Sequence, residues 1–219
     1  MAPRPKQAEP RPVPRLYLVT PRLQNVGTFA APLKAALAAA DVAAVLLRLA
    51  PADEGSMIKR AKALAPVVQD AGAALMIDGH ADLVARSRAD GAHVTGMAEF
   101  GEAIEHLKPD WIVGVGGLTT RHDAMTAAEQ GADYVLFGEP DAAGVRPAFA
   151  AIEERVAWWA ELFEAPCVGY AGAPVEVASL AAAGADFVAL GDWLWQDETK
   201  ITALLAQASE HLRLPEPAA

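Results

Sequence analysis

The chain has 219 residues, 53% of them hydrophobic, and a formal net charge of −10. This length suffices for one sizeable core, so we predict a single domain over residues 15–214. The acidic balance and the lack of a long basic stripe argue against a nucleic-acid-binding surface. No apolar run reaches the roughly 18 residues that a membrane span needs, so we predict no membrane association.

The amino-terminal residues 1–14 contain five prolines together with Arg and Lys, but no apolar core. This composition predicts a disordered tail rather than a secretory signal. The one cysteine, Cys167, lies within an apolar run, which excludes a disulfide framework. A reducing cytoplasm is therefore the predicted location.

Apolar runs of strand length occur eight times along the chain. They cover residues 16–20, 42–48, 74–78, 92–96, 111–116, 134–138, 167–171 and 187–191. Segments with helical periodicity lie between them, at residues 57–70, 121–130, 146–163, 175–183 and 201–212. We predict that Ser56 caps the first of these helices and that Thr119 or Thr120 starts the second.

A short segment, Gly-Ala-Asp, occurs at residues 131–133 and again at residues 184–186. Each copy follows an Ala-rich helical segment and leads into an apolar run that ends in glycine and then a carboxylate, Glu139 or Asp192. Such repeated helix-to-strand steps indicate β/α units. Eight of them predict an α/β fold, a (β/α)8 TIM barrel. An open doubly wound sheet is the alternative, but no Gly-x-Gly-x-x-Gly follows the first strand.

In a barrel of this kind, function resides at the carboxyl ends of the strands. Two candidate catalytic groups lie there, His93 and Glu139, because imidazole and carboxyl groups exchange protons. The candidate substrate-binding positions are on the same edge: Arg48, Asp78, His80, Gly116, Gly117, Ala171, Gly172, Gly191 and Asp192. Asp78, His80 and His93 together are also candidate ligands of a zinc or iron ion, but their spacing across strands matches no metal-binding motif, so no metal ligand is predicted.

Several of the candidates also have structural interpretations. Arg48 ends an apolar strand, where a guanidinium needs an anion, either a ligand or a neighbouring carboxylate such as Asp78. Asp192 follows the last strand, where many barrels hold a phosphate, and its negative charge opposes that role. Trp193 and Trp195 come next and are interpreted either as packing residues or as a cover over a flat ligand.

Some of these segments resemble the thiamine-phosphate synthase family, which includes the related thiazole tautomerases. The resemblance is carried by the opening strand at residues 17–20, by Gly114-Val115, and by the Gly-Ala-Asp segments with the strands that follow them. It covers about residues 15–195. It implies a (β/α)8 barrel and, for the synthases, the joining of a pyrimidine diphosphate to a thiazole phosphate, with magnesium, in thiamine biosynthesis.

The residues that this family uses for magnesium and diphosphate are mostly missing. By the resemblance, Gly79 and Ala98 stand where the family has metal-binding carboxylates. Only Arg48 remains of the side chains that grip the diphosphate, and Asp192 replaces a serine near the phosphate. The resemblance therefore implies a magnesium cofactor whose usual ligands are absent here, and the cofactor is left unassigned.

Three hypotheses follow, all of which require a small-molecule ligand. The first is a divergent thiamine-phosphate synthase, a transferase. The second is a barrel enzyme with different chemistry that uses Asp78, His80, His93 and Glu139. The third is a non-catalytic protein that binds a thiamine-related or other small phosphorylated ligand. A homodimer is compatible with the adjacent residues 158 and 159, both Trp, of which one is free to face a partner.

Overall fold

A computed structural model describes residues 12–213. Its strands are β1 (Arg15–Val19), β2 (Val42–Leu47), β3 (Ala74–Asp78), β4 (Gly91–Thr95), β5 (Ile112–Gly116), β6 (Tyr134–Phe137), β7 (Cys167–Ala171) and β8 (Phe187–Leu190). Its helices are α1 (Val26–Ala39), α2 (Glu54–Gln69), α3 (Val84–Ser87), α4 (Gly96–Leu107), α5 (Arg121–Glu129), α6 (Phe149–Leu162), α7 (Glu176–Ala182) and α8 (Ile201–Leu212). The tail prediction falls mostly on residues 1–11, which lie outside the described residues.

The strands form a closed parallel barrel in which each pairs with its neighbours in sequence and β8 pairs with β1. The predicted (β/α)8 barrel is thus confirmed, and the doubly wound sheet is wrong. All eight predicted strands are present, and their ends differ from the prediction by at most one residue. None of the helices in the described part of the chain has an apolar stretch that would cross a bilayer.

Two predicted helix starts are wrong. Helix α2, predicted over residues 57–70, begins at Glu54, because the carboxylate of Asp53 accepts the Ser56 amide at 2.9 Å and takes the capping role assigned to Ser56. The long helix α6 begins at Phe149 rather than at Arg146, which leaves Arg146 in the loop after β6. Thr120 does cap α5, with Asp123 returning the hydrogen bond in a capping box.

Apolar side chains form two layers. The outer layer lies between strands and helices and contains the fully buried Trp159 and Phe100. The inner layer fills the barrel and includes three tyrosines, Tyr17, Tyr134 and Tyr170. Successive residues of a strand point to opposite faces, so the inward-facing positions of each strand continue toward its carboxyl end and reach the barrel mouth.

The repeated Gly-Ala-Asp segments have a structural explanation at the opposite, amino-terminal end of the strands. In each copy the Asp carboxylate accepts the amide of a residue at the start of the preceding strand, and the Asp amide donates to the carbonyl of that same residue. A third Asp, in Ala-Asp-Gly, does the same. The carboxylate distances are 2.7 Å for Asp90 to Leu75, 2.7 Å for Asp133 to Val113 and 2.8 Å for Asp186 to Cys167. We call these two-point contacts aspartate clamps.

We expect Asp186→Ala to lower the free energy of unfolding by about 1–3 kcal/mol, because the Cys167 amide loses its carboxylate acceptor. Asp186→Asn keeps an acceptor oxygen and should lose less. The measurement is urea denaturation of the full chain. The control is Asp110→Ala, whose side chain is exposed and for which we expect a change within about 0.5 kcal/mol. Equal midpoints for Asp186→Ala and Asp110→Ala would show that the clamp does not stabilise the barrel.

Candidate active site

A cleft of about 1100 Å³ opens at the carboxyl ends of the strands. Its lining is rich in charged side chains of both signs. The basic ones are Arg22, Arg48, Arg146 and Arg155, and the acidic ones are Asp78, Glu99, Glu139, Asp141 and Asp192. Pockets for small ligands are usually about 300–1,000 Å³. The cleft therefore has room for two small molecules side by side.

The candidate residues divide into two groups by their position relative to this cleft. Those that line it are Arg48, Asp78, His93, Gly117, Glu139 and Asp192. Those outside the lining are His80, Gly116, Ala171, Gly172 and Gly191. Neighbouring side chains cover two of the glycines: the Arg146 guanidinium lies against Gly172, and the Tyr170 hydroxyl lies against Gly191.

Arg48 is held by β1 and by the turn after β8. Its amide donates to the Thr20 hydroxyl at 3.0 Å, its Nε donates to the Thr20 carbonyl, and its Nη2 forms an ion pair with Asp192. The carboxylate that meets this guanidinium is thus Asp192 and not Asp78, the partner considered from sequence. The charge of Asp192 is balanced by Arg48, so it does not by itself repel an anion from the mouth.

Arg146 was missed from sequence because the prediction placed it inside a helix. From the loop, its Nε donates to the Gly138 carbonyl at 3.1 Å and its Nη2 donates to the Tyr170 carbonyl at 2.9 Å. Its Nη1 contacts both oxygens of Glu176, at 2.9 and 3.1 Å. One of those oxygens also accepts the Gly172 amide at 2.7 Å. The end of β7 therefore already holds an anion, the Glu176 carboxylate.

Glu139 and His93 both lie over Gly116. A Cβ on Gly116 would collide with Glu139 Oε1 and would lie 2.9 Å from His93 Nε2, so the glycine leaves the space in which they approach. Glu139 Oε1 also accepts the amide of Gly117, whose φ of 62° is in the left-handed region that favours glycine. Burial raises the pKa of Glu139 to about 7, against the lowering effect of backbone hydrogen bonds. Burial lowers the pKa of His93 to about 4.

Two tyrosines that the sequence reading did not select lie behind His93. The hydroxyl of Tyr134 is 3.1 Å from His93 Nδ1 and 2.8 Å from the hydroxyl of Tyr17. The rings of His93 and Tyr134 are stacked, and the Tyr134 ring lies over Gly114. The sequence signal that could have identified them is the alternation of side chains between the two faces of a strand, since each tyrosine occupies an inward-facing position. A continuous chain of hydrogen bonds thus leads from the barrel interior to His93.

Asp78 lies on the cleft floor at the end of β3. Burial raises the pKa of its carboxyl, while Arg22 and Arg48 act in the opposite direction. His80 precedes a short 3-10 turn, makes no capping hydrogen bond with its side chain and does not line the cleft. The structure therefore brings Asp78, His93 and Glu139 to one cavity and leaves His80 out.

The donor set does not fit a resident metal ion. Among residues 12–213, no group of three or more His, Cys, Asp or Glu side chains is arranged to hold one.

The tryptophans after β8 tie the last loop to the barrel. Trp193 Nε1 donates to the Ala171 carbonyl at 2.9 Å, and Trp195 Nε1 donates to the Val19 carbonyl at 2.7 Å. Trp195 also contacts Phe29, with ring centroids 4.8 Å apart. Neither indole lines the cleft, so the packing interpretation of this pair holds and the interpretation as a cover does not.

Glu139 and His93 should give opposite pH dependences to stability. Because the pKa of Glu139 is raised on folding, the unfolded chain releases this proton at a lower pH than the folded chain does. The contribution of Glu139 to the free energy of unfolding therefore falls as pH rises from 4.5 to about 7. Because the pKa of His93 is lowered on folding, its contribution to the free energy of unfolding rises as pH rises from about 4 to 6.5. Between pH 4.5 and about 7, we expect the free energy of unfolding of Glu139→Gln to increase relative to that of the parent protein, by at most about 1.4 kcal/mol per pH unit.

Urea denaturation at a series of pH values measures this difference. Glu161→Gln, at an exposed position of α6, is the control and should follow the parent at every pH. Parallel curves for Glu139→Gln and the parent would contradict the raised pKa.

Comparisons with known proteins agree with the fold and with the resemblance. The family model described as thiamine monophosphate synthase matches residues 16–193. A thiamine-phosphate synthase of Rhodospirillum centenum is 40% identical over 91% of this chain and 98% of its own length. One of Hyphomonas neptunium is 36% identical over 87% of this chain and 90% of its own length.

A solved structure, a thiamine phosphate pyrophosphorylase from Pyrococcus furiosus, superposes with a TM-score of 0.73 at 23% identity, covering 90% of this chain and 96% of its own. That likeness shows the shared barrel. The family match over most of the chain, together with the two relatives, shows more: the chain belongs to the thiamine monophosphate synthase family.

Proposed function

We propose that this protein acts in thiamine biosynthesis by joining a pyrimidine carried as a diphosphate to a thiazole phosphate. The observation that carries the proposal is the cleft of about 1100 Å³, in a chain of this family, at the strand ends where barrels hold their active sites. The reaction needs two small substrates in one cavity, and the volume accommodates both.

The arginines on the cleft suit the anionic parts of such substrates. In the proposed transfer the diphosphate leaves as the two rings are joined, so negative charge builds up on the departing group. Donors fixed in advance stabilise such charge without reorganising. Arg48 and Arg146 are fixed in this way by their bonds to backbone carbonyls. Arg155 is held similarly, by the carbonyls of Leu118 and Thr119 at 2.7 and 3.1 Å.

The deeper part of the cleft supplies the candidate acid and base. Glu139, with a pKa raised to about 7 by burial, is present in both protonation states near neutral pH. His93 is neutral at that pH, since burial lowers its pKa to about 4. These two groups, at the floor, are the proposed catalytic residues, and Arg48, Asp78 and Asp192 are the proposed substrate-binding side chains.

The test is formation of thiamine phosphate from the two phosphorylated halves in the presence of magnesium. We expect Arg48→Met to lower kcat/KM by roughly 10- to 100-fold, the effect of losing a hydrogen bond to a charged group. The control is Arg213→Met, at an exposed position beside the amino-terminal end of β1, which should leave the rate unchanged. Melting curves of both variants show whether a lost rate reflects lost folding.

Absence of product at high enzyme concentration would overturn the proposal of a transfer reaction. The substitutions at Gly79 and Ala98 favour a second candidate in that case, a non-catalytic protein that binds a thiamine-related ligand. It would show stabilisation by thiamine phosphate without turnover, about 2.7 kcal/mol at a hundredfold excess over Kd.

We also propose a cytoplasmic location and a homodimer. The location is supported by the single, buried cysteine. The dimer is supported by Leu162 on α6, a large apolar residue that is 61% exposed. Sedimentation equilibrium distinguishes a dimer from a monomer.

A further inference from the structure

Three aromatic side chains form a hydrogen-bonded chain inside the closed barrel. Tyr17, Tyr134 and His93 are at most 7% exposed, and each comes from a different strand. The Tyr17 hydroxyl lies 2.8 Å from the Tyr134 hydroxyl, which in turn lies 3.1 Å from His93 Nδ1. The other ring nitrogen, Nε2, has no hydrogen-bond partner among residues 12–213 and is open to solvent in the cleft that His93 lines. One imidazole thus connects the buried chain to the cleft.

Strand register explains why the rings of His93 and Tyr134 can meet. Gly114 on β5 pairs with His93 on β4 at one side and with Tyr134 on β6 at the other. Because glycine places no side chain between them, the two rings stack, with centroids 5.6 Å apart and planes 9° from parallel. A Cβ on Gly114 would lie 1.9 Å from Cζ of Tyr134. The pairing of the strands therefore fixes the ring of His93 against the tyrosine.

The direction of the hydrogen bonds follows from a count of donors and acceptors. Each hydroxyl has one proton to donate, and a neutral imidazole carries a proton on only one of its two nitrogens. In the described part of the chain, the Tyr17 hydroxyl has no hydrogen-bond partner except the hydroxyl of Tyr134. A buried hydroxyl proton is costly to leave unpaired, so Tyr17 donates to Tyr134. Tyr134 then has its own proton to donate to His93 Nδ1.

The opposite tautomer leaves one proton without an acceptor. With the proton on Nδ1, the imidazole donates to Tyr134 and Tyr134 donates to Tyr17, so the Tyr17 proton finds no acceptor within residues 12–213. The imidazole is neutral near neutral pH because burial lowers the pKa of His93 to about 4, and one of the two tautomers must therefore apply. The arrangement that pairs every buried hydroxyl proton has Nδ1 bare and the proton on Nε2.

We propose that Tyr17 and Tyr134 are positioning residues that hold the His93 proton on Nε2, so that the ring presents an N–H donor to a ligand in the cleft. The donor fits a hydrogen-bond acceptor atom of the ligand and favours negative charge that develops on that atom. The opposite tautomer would present a bare nitrogen that takes up a proton. The tautomer rests on the hydrogen-bond geometry, whereas its part in a reaction rests on the proposed function.

Nitrogen NMR of the full chain, with its histidines labelled with the heavy isotope, identifies the tautomer, because a protonated ring nitrogen resonates at much lower frequency than a bare one. The chain has five histidines. The signals of His93 are those that stay constant between about pH 5 and 8, where ordinary histidines titrate, since burial lowers its pKa. We expect the proton on Nε2 in the parent protein. This spectrum decides the tautomer whether or not any variant folds.

Two tyrosine variants test where the tautomer comes from. In Tyr134→Phe, Nδ1 accepts no hydrogen bond, so we expect its resonance to move to higher frequency. Tyr17→Phe is the matched control, because it also removes one buried hydroxyl but leaves Tyr134 able to donate. In that control we expect Nδ1 to stay bare and hydrogen-bonded. Circular dichroism shows whether each variant is folded.

Two variants of His93 test what Nε2 does in the transfer reaction. The Gln side chain has an amide N–H at about the distance of Nε2 and can donate, but it does not take up a proton, whereas Met does neither. We expect His93→Gln to keep kcat/KM within about tenfold of the parent value. His93→Met should lower it by roughly a further tenfold, the effect of a lost hydrogen bond. Melting curves show whether a lost rate reflects lost folding.

A proton on Nδ1 in the parent protein, or an Nδ1 resonance that stays in place in Tyr134→Phe, would overturn the inference. Equal losses of rate in His93→Gln and His93→Met would overturn the donor role of Nε2. The transfer reaction fails separately: a parent protein with the proton on Nε2 that forms no thiamine phosphate would overturn the proposed reaction and support the assigned tautomer.

Discussion

The barrel depends on the aspartate clamps, in which one residue both accepts from and donates to a single residue of the preceding strand. A shift of one position between the two strands would break both hydrogen bonds and would turn every inward-facing side chain outward. The clamps thereby determine which side chains reach the mouth. His93 lies in the strand that begins directly after Asp90, and Tyr134 directly follows the clamp at Asp133. A stabilising contact at the amino-terminal end thus aligns the functional groups at the other end.

Charge in the cleft is arranged in two levels. On the rim, Arg48 and Arg146 are bound to carbonyls and to the chain's own carboxylates, so each is held in place before any ligand arrives. Deeper in the cleft, Glu139 accepts the Gly117 amide, and the nearby Asp78 adds to the effect of burial in raising its pKa.

Much of the fold was predictable from short-range patterns, and the site much less so. All eight strands were located from apolar runs, and the repeated Gly-Ala-Asp indicated the helix-to-strand step. The same pattern did not reveal the clamp, because the partner residue lies in another strand. Periodicity assigned Arg146 to a helix. In the structure it lies in the loop before α6, where its guanidinium forms hydrogen bonds with Glu176 and with strand-end carbonyls. Asp78 was considered as the partner of Arg48, whereas the guanidinium meets Asp192 across the closed barrel.

The sequence by itself determined the number, order and parallel arrangement of the strands, because apolar periodicity and helix-stop signals act over a few neighbouring residues. It also placed His93 and Glu139 at strand ends, where barrel chemistry occurs. Only the tertiary structure decided that both groups lie over Gly116, that two tyrosines form hydrogen bonds inward from His93, and that His80 stays outside the cleft. Such contacts join residues from different strands, and their distances follow from barrel closure and strand register, which no local pattern encodes.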